Sequence, residues 1–284
     1  MLGKRVRQLV AVDVGTHKMA VAVVGLRADG VWRVLNVYES VSRGVTRGEV
    51  TDPARAAESL GEAIAEAEER YTLDDDEPLL GLSGAHLRSQ VRRMRLELER
   101  PGAAVREADV QQVRELAEAV TLTPDRSTVV TLDRRWRLDG AEQENAPAGA
   151  PGRLLEGEFL VVDGVAARLR ALISRVTEAG LKAPAWTITS AASASAVLTP
   201  EQRALGVLLL DCGAGLTHYA LYIDGCVEAV GAVPAAGSHA TRDVMAAFNL
   251  RWQHAERMKR EFGTVAAMDP NDPRTVSLPP DKGF

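Results

Sequence analysis

The sequence predicts an α/β fold in which one half-domain pattern is written twice, with a small α+β insertion between the copies. Two observations carry this expectation. The order strand, Asp-x-Gly turn, strand, turn, strand, helix begins at Leu9 near one end and again at Gly206 near the other. Between the copies, from Gly84 to about Leu160, the texture changes to a charged strand, a helix and two further strands. The expected division is 1–83 with 161–188 as a first subdomain, 84–160 as the insertion, and 189–284 as a second subdomain. A chain of 284 residues is long enough for such units, each with its own core. Its 46% hydrophobic and 26% charged residues are ordinary for a folded protein, and 4% aromatics leave the core to Val, Leu and Ala.

Leu9–Val14 and Met19–Leu26 read as a hairpin with Gly15 and Thr16 in the turn, and Val31–Val37 continues the sheet. A helix follows. Thr51 or Asp52 can cap it, Pro53 suits its first turn, and Ala57, Leu60, Ile64, Ala67 and Tyr71 make one apolar stripe that the acidic run Asp74–Glu77 ends. Leu79–Leu82 reads as a buried strand. In the insertion, Gln90–Leu98 is a charged strand, and the next helix carries Val110, Val113, Leu116 and Val120. Val129–Leu138 and Leu154–Val161 are strands, separated by a flexible polar loop over 141–152. Val165–Ala179 is a helix closed by Gly180, Ala185–Thr189 a strand, and Ala191–Leu198 a helix of small residues. Gly206–Leu210, His218–Ile223 and Val227–Val233 form the second meander, followed by helices at His239–Phe248 and Trp252–Phe262.

A net charge of −5 speaks against an overall electrostatic grip on nucleic acid. The Arg-rich stretch Arg88–Arg100 is a local exception, and reads either as the solvated face of an edge strand or as a protein contact along that edge. Cys212 and Cys226 lack a CxxC spacing and read as free thiols of a cytosolic protein, and the five histidines show no metal-binding spacing. No apolar run approaches the ~20 residues that cross a bilayer. The opening lacks a secretory h-region, and the Pro- and Asp-rich end carries no amphipathic helix, so membrane contact is expected only through partners.

The chemistry points to the two turns. Asp13 and Asp211 each end an apolar strand and are followed at the second position by Gly15 and Gly213. Glycine lets backbone N–H groups approach an anionic ligand. An Asp repels phosphate, but it can hold Mg²⁺ through waters, and the metal then neutralises the phosphates. Two such turns facing one another would grip a triphosphate from both sides, with Lys18 adding a point charge. A P-loop is excluded, since neither turn matches GxxxxGK[ST].

VDVGTHK (Val12–Lys18) and LDCGAGLTH (Leu210–His218) resemble the two phosphate motifs of the actin/heat-shock-chaperone ATPase superfamily. GVTRGEVTD (Gly44–Asp52), GLSGAHLRSQ (Gly81–Gln90), AAGSHATRD (Ala235–Asp243) and AERMKREFG (Ala255–Gly263) are similar to the FtsA type of bacterial cell-division protein within it. The resemblance implies an actin-like (ribonuclease H-like) fold with duplicated half-domains, ATP and Mg²⁺ as ligands, and an insertion through which such proteins associate into filaments. It also implies recruitment of an FtsZ-like ring protein and other division proteins, at the cytoplasmic face of the cell membrane at the division site. Carried over residue by residue, Asp13 and Asp211 would face Mg²⁺ through water. Gly15, Thr16, Gly213, Gly215 and Thr217 would supply turn contacts, Lys18 would reach the phosphates, and Gly237 would line the cleft floor. Glu256 and Lys259 would reach ribose and base, although residues three apart on a helix also make an ordinary surface ion pair.

There are departures. Leu216 and His218 stand where FtsA has Thr and Asp, and Thr189 stands at the usual Glu position. A Thr is no base near neutral pH, and losing a base costs ~10²–10⁴ in rate. Binding with weak or no hydrolysis is therefore expected, at most a slow ATPase. Family members continue past residue 284, so the second half is expected to be incomplete, with apolar surface exposed. The alternatives are a non-catalytic scaffold of the same fold and a protein like the type IV pilus assembly protein PilM.

Overall fold

The computed structural model describes residues 8–27, 29–73, 77–99, 102–119 and 122–266. The expectations for the two chain ends, for Val120 and for most of the acidic run Asp74–Glu77 fall outside these residues.

Strands β1 (Gln8–Val14) and β2 (Lys18–Leu26) pair antiparallel from Gln8↔Gly25 to Val14↔Met19. Val10, Val12 and Val14 on one strand and Met19, Val21 and Val23 on the other are all buried. This period-two alternation pins the register, because a slip of either strand by one residue would turn its three buried residues to the opposite face. β3 (Trp32–Val41) extends the sheet further than expected and is bulged opposite Val23 and Val24. A short hairpin that sequence reading missed follows, formed by β4 (Val45–Thr46) and β5 (Glu49–Val50). Helix α1 (Pro53–Glu68) starts at Asp52, whose Oδ1 accepts from the Arg55 N–H at 3.2 Å. Its buried face is Ala56, Ser59, Leu60, Ala63, Ile64 and Ala67, so the expected Ala57 is only half-buried. The helix stops at Glu68, and Tyr71 joins the core from beyond it, edge-on to Tyr38 at 6.4 Å.

β6 (Leu79–Leu82) runs parallel to β1. The chain then builds a separate sheet from β7 (Arg88–Glu97), β8 (Arg126–Leu138), β9 (Ala141–Gln143) and β10 (Leu154–Val165), in the order β7-β10-β8-β9. Helix α2 (Glu107–Glu118) covers it. α2 buries Val110, Val113 and Ala117, while Leu116 is 41% exposed, which corrects the expected stripe. β9 lies inside the stretch read as a flexible loop. Asp139 and Gly140 both adopt left-handed φ and turn β8 into β9, a two-residue Asp-Gly hairpin signal hidden among polar residues. This sheet has its own core, with Trp136 edge-on to Phe159 at 5.3 Å. β10 runs on beyond it, and its Leu160 and Val162 belong to the main core.

α3 (Ala166–Glu178) returns the chain to β11 (Ala185–Ile188), parallel to β6, giving the order β11-β6-β1-β2-β3. Thr189 opens α4 (Thr189–Val197) rather than ending the strand. α5 (Pro200–Leu205) is six residues long and was not expected. Its start is fixed reciprocally by Thr199 and Gln202. β12 (Val207–Cys212), β13 (Thr217–Ile223) and β14 (Cys226–Val233) repeat the opening meander as an antiparallel sheet against α4. On the face away from α4, Leu208 and Leu210 are 54% and 57% exposed. α6 (Gly237–Phe248) and α7 (Trp252–Phe262) pack on one another.

Candidate functional site

The two copies of the meander bring their first turns to one cleft of about 310 Å³, a volume in the range of small-molecule sites. The turns are built alike. Asp13 ends β1, and the Gly15 N–H donates to the Lys18 carbonyl at 3.1 Å. Asp211 lies at the end of β12, and the Gly213 N–H donates to the Leu216 carbonyl at 2.9 Å. A Cβ at Gly15 would sit 2.7 Å from the Lys18 oxygen, and one at Gly213 would sit 3.0 Å from the Leu216 oxygen, so both turns need a residue without a side chain. At Gly215 a Cβ would sit 2.6 Å from Thr16 Oγ1 of the other turn. The two turns therefore touch where glycine is present.

Asp13, Gly15, Thr16, Lys18, Asp211, Gly213, Gly215 and Thr189 all line this cleft. Burial raises the Asp13 carboxyl above its usual range and the Asp211 charge adds to the rise, while Lys18 opposes it. Two carboxylates crowded into one crevice favour either a proton or a cation between them. Ser193 on α4 donates to Asp211 Oδ2 at 2.9 Å and orients it. No group of three or more His, Cys, Asp or Glu that could hold a metal occurs among the described residues. This donor set suits Mg²⁺, which takes one or two carboxylates and fills its other positions with water and phosphate.

Lys18 stands at the rim, where its ammonium pairs with Glu39 of β3. Thr189 donates its hydroxyl to the Leu82 carbonyl at 3.2 Å, an anchoring bond that offers no base to the cleft. Thr217, Gly237, Glu256 and Lys259 do not line the cavity. Thr217 Oγ1 donates to the Ala235 carbonyl at 2.6 Å. Gly237 is tied to the second turn by its N–H, which donates to the Gly213 carbonyl at 3.1 Å. Glu256 and Lys259 pair at 2.6 Å, and both bond to Thr241 Oγ1, which is fully buried between α6 and α7. Lys259 Nζ also reaches the Gly237 carbonyl at 3.1 Å, so this cluster braces the second turn from behind.

Sequence reading did not place Gly48, Ser83 or His17 in the cleft lining, and it missed Ser193 beneath Asp211. Gly48, Ser83 and Ser193 come from a short hairpin, a strand end and a small-residue helix that only the tertiary fold brings there, whereas His17 lies in the first turn itself. His218 Nε2 is buried without a hydrogen-bond partner, and burial holds the imidazole below its usual pKa against the opposing pull of Asp211.

Two family models match the chain. One, described as "Cell division protein FtsA", covers residues 208–283, and the other, "SHS2 domain inserted in FTSA", covers residues 84–163. Among curated relatives, the cell division protein FtsA of Pseudomonas aeruginosa is 28% identical over 273 residues, covering 96% of this chain and 65% of the relative. The FtsA of Borreliella burgdorferi is 28% identical over 255 residues, covering 90% and 62%. That of Escherichia coli K12 is 25% identical over 271 residues, covering 95% and 64%. The chain thus spans somewhat under two thirds of the length of these relatives. Among solved structures, the PilM-PilN type IV pilus biogenesis complex aligns with a TM-score of 0.60 at 18% identity, over 90% of this chain and 70% of that one. The ethanolamine utilization protein EutJ from Carboxydothermus hydrogenoformans aligns at 0.51 and 15%, over 90% and 62%. Both likenesses bear on the fold, which is that of the actin-like ATPases.

Proposed function

The chain is an FtsA-type sequence with the actin-like fold, and on that footing we propose that it binds Mg-ATP between its two Asp-x-Gly turns as part of bacterial cell division. The observation that carries this reading is the construction of the turns. Each closes with the same glycine-to-carbonyl bond, and the two meet at one cleft lined by Asp13 and Asp211. The Gly15 and Gly213 N–H groups are taken up in closing the turns, so these glycines and Gly215 would serve by letting the phosphates come close to turn backbone that carries no side chain, and Thr16 would add a hydroxyl. Bound Mg²⁺ would neutralise phosphate charge that the two carboxylates repel. Glu256, Lys259 and Gly237 would act by holding the second turn from behind.

Hydrolysis would be weak or absent. Thr189, at the position where the resemblance implies a Glu, is committed to the Leu82 carbonyl. Positioning and electrostatics would still favour binding. At the level of the cell, the reading is a protein that links an FtsZ-like ring to the cytoplasmic face of the membrane, recruits later division proteins, and self-associates through the insertion at 84–160. The first and second subdomains, at 1–83 with 161–188 and at 189–284, would close on the nucleotide.

The test is thermal melting with and without Mg-ATP. A ligand at 100 times its dissociation constant adds ~2.7 kcal/mol, a rise of several degrees. Absence of any rise would favour a scaffold that uses the fold without the ligand.

A further inference from the structure

We propose that Arg47, at the tip of the β4–β5 hairpin, contacts the terminal phosphate and makes the cleft discriminate ATP from ADP. This deepens the nucleotide-binding reading and rests on it. The hairpin turns through Arg47 and Gly48, with φ of 51° and 72°. Two consecutive left-handed residues make the tight turn that suits a two-residue hairpin, a position where Asn and Gly are at ease and Arg is not. A residue in such a conformation carries a backbone cost that the surrounding structure has to hold in place.

The tip is wedged between the two phosphate turns. The Gly48 N–H donates to Thr16 Oγ1 of the first turn at 3.2 Å. On the other side, a Cβ on Gly215 would come within 3.1 Å of the Arg47 Cα, and one on Gly48 within 2.6 Å of Leu216 Cδ1. The hairpin base is fixed as well. The Thr51 and Asp52 N–H groups both donate to the Gly44 carbonyl, at 2.8 and 3.1 Å, and Glu49 is paired with Arg168 of α3.

The cations around the cleft are otherwise engaged. Lys18, which lines the cleft, is paired with Glu39, and Arg168 and Lys259 on elements beside it are paired with Glu49 and Glu256. Arg47 is exposed, and its side chain forms no ion pair or hydrogen bond among the described residues. Its guanidinium has the forked donor set that grips phosphate oxygens, and its backbone already touches the second turn. Gly48 beside it lines the cleft while the Arg47 side chain lies just outside that lining, so the charge would reach a bound phosphate tail from the rim of the hairpin, in addition to Lys18.

The experiment titrates Mg-ATP and Mg-ADP separately into the wild type, Arg47→Ala, Arg47→Lys and the surface control Arg43→Ala, with circular dichroism confirming that each is folded. Loss of a charge-assisted phosphate contact should weaken ATP binding roughly 10-fold or more, while ADP binding stays within about twofold. Arg47→Lys should fall between, and Arg43→Ala should match the wild type. Equal loss for both nucleotides, or no loss, in Arg47→Ala overturns the assignment while leaving nucleotide binding intact. Failure of the wild type to bind either nucleotide removes the underlying reading, and this one with it.

Discussion

At the scale of single residues, Asp13 carries a cost to the fold. Burial, then the Asp211 charge, make its carboxyl harder to ionise in the folded chain than in the unfolded one, against the pull of Lys18. A carboxyl raised in this way favours the fold while it is protonated. That advantage is lost as the pH rises from its ordinary value of about 3.9 through its raised folded value. Asp13→Asn should therefore raise the denaturation midpoint at pH 7, and the gain should shrink to nothing as the pH falls toward the ordinary carboxyl range. The same variant should lose the Mg-ATP response. A lower midpoint at pH 7 would mean that the carboxylate is stabilised rather than strained. Asp13 and Asp211 were legible in the sequence because an Asp closing an apolar strand two residues before a Gly is a local pattern. The pairing of Lys18 was not, because the Glu39 that engages it lies on a neighbouring strand, and pairing across a sheet is not written in local spacing.

At the scale of elements, legibility followed length and period. β1, β2, α1, α3 and the second meander each carry a period of two or 3.6 over enough residues to be recognised. The β4–β5 hairpin has two residues on each strand and α5 has six in all, too few for a period to show. The buried face of α1 came out one residue from the expected one because alanine lies on both sides of the boundary, and only packing on β2, β3 and α3 decides between Ala56 and Ala57. The start of α1 is local, and of the two caps the sequence offers, Thr51 and Asp52, the structure uses Asp52. Asp52 accepts the Arg55 N–H, and its own N–H bonds Gly44 at the hairpin base. Asp52→Ala should cost roughly 0.5–2 kcal/mol, as loss of an N-cap does, measured by urea denaturation. A change under a few tenths of a kcal/mol would show that Pro53 and the Gly44 bonds suffice to start the helix.

At the scale of the whole molecule, the insertion and the second meander are joined by a buried ionic knot as well as by apolar packing, since Val129 and Leu160 of the one and Val227 and Val230 of the other belong to the same core. Arg134 of β8, 4% exposed, pairs with Glu158 of β10 and with Glu228 of β14, and its Nε donates to the Val227 carbonyl at 2.8 Å. Beside it, Ser89 Oγ on β7 donates to the Val230 carbonyl at 2.9 Å. Burial works to raise the Glu158 carboxyl, but the Arg93 hydrogen bond and the Arg134 charge outweigh it and hold the group below its usual value. Its contribution to stability is therefore present at neutral pH and lost as acid protonates it. Removing Arg134 alone would leave the buried Glu158 carboxylate with Arg93 as its remaining close partner and would also break the bonds to Glu228 and the Val227 carbonyl; loss of one partner of a buried pair typically costs about 3–5 kcal/mol. Arg134→Met should accordingly lower the melting temperature sharply, and less so in acid, where Glu158 becomes neutral. The double change Arg134→Met with Glu158→Leu should recover much of the loss, since an apolar pair of similar volume often replaces a buried ion pair without penalty. If the double variant is as weak as the single, the knot's main worth lies in its bonds to the β14 backbone, and the coupling of insertion to second meander runs through Val227 rather than through charge.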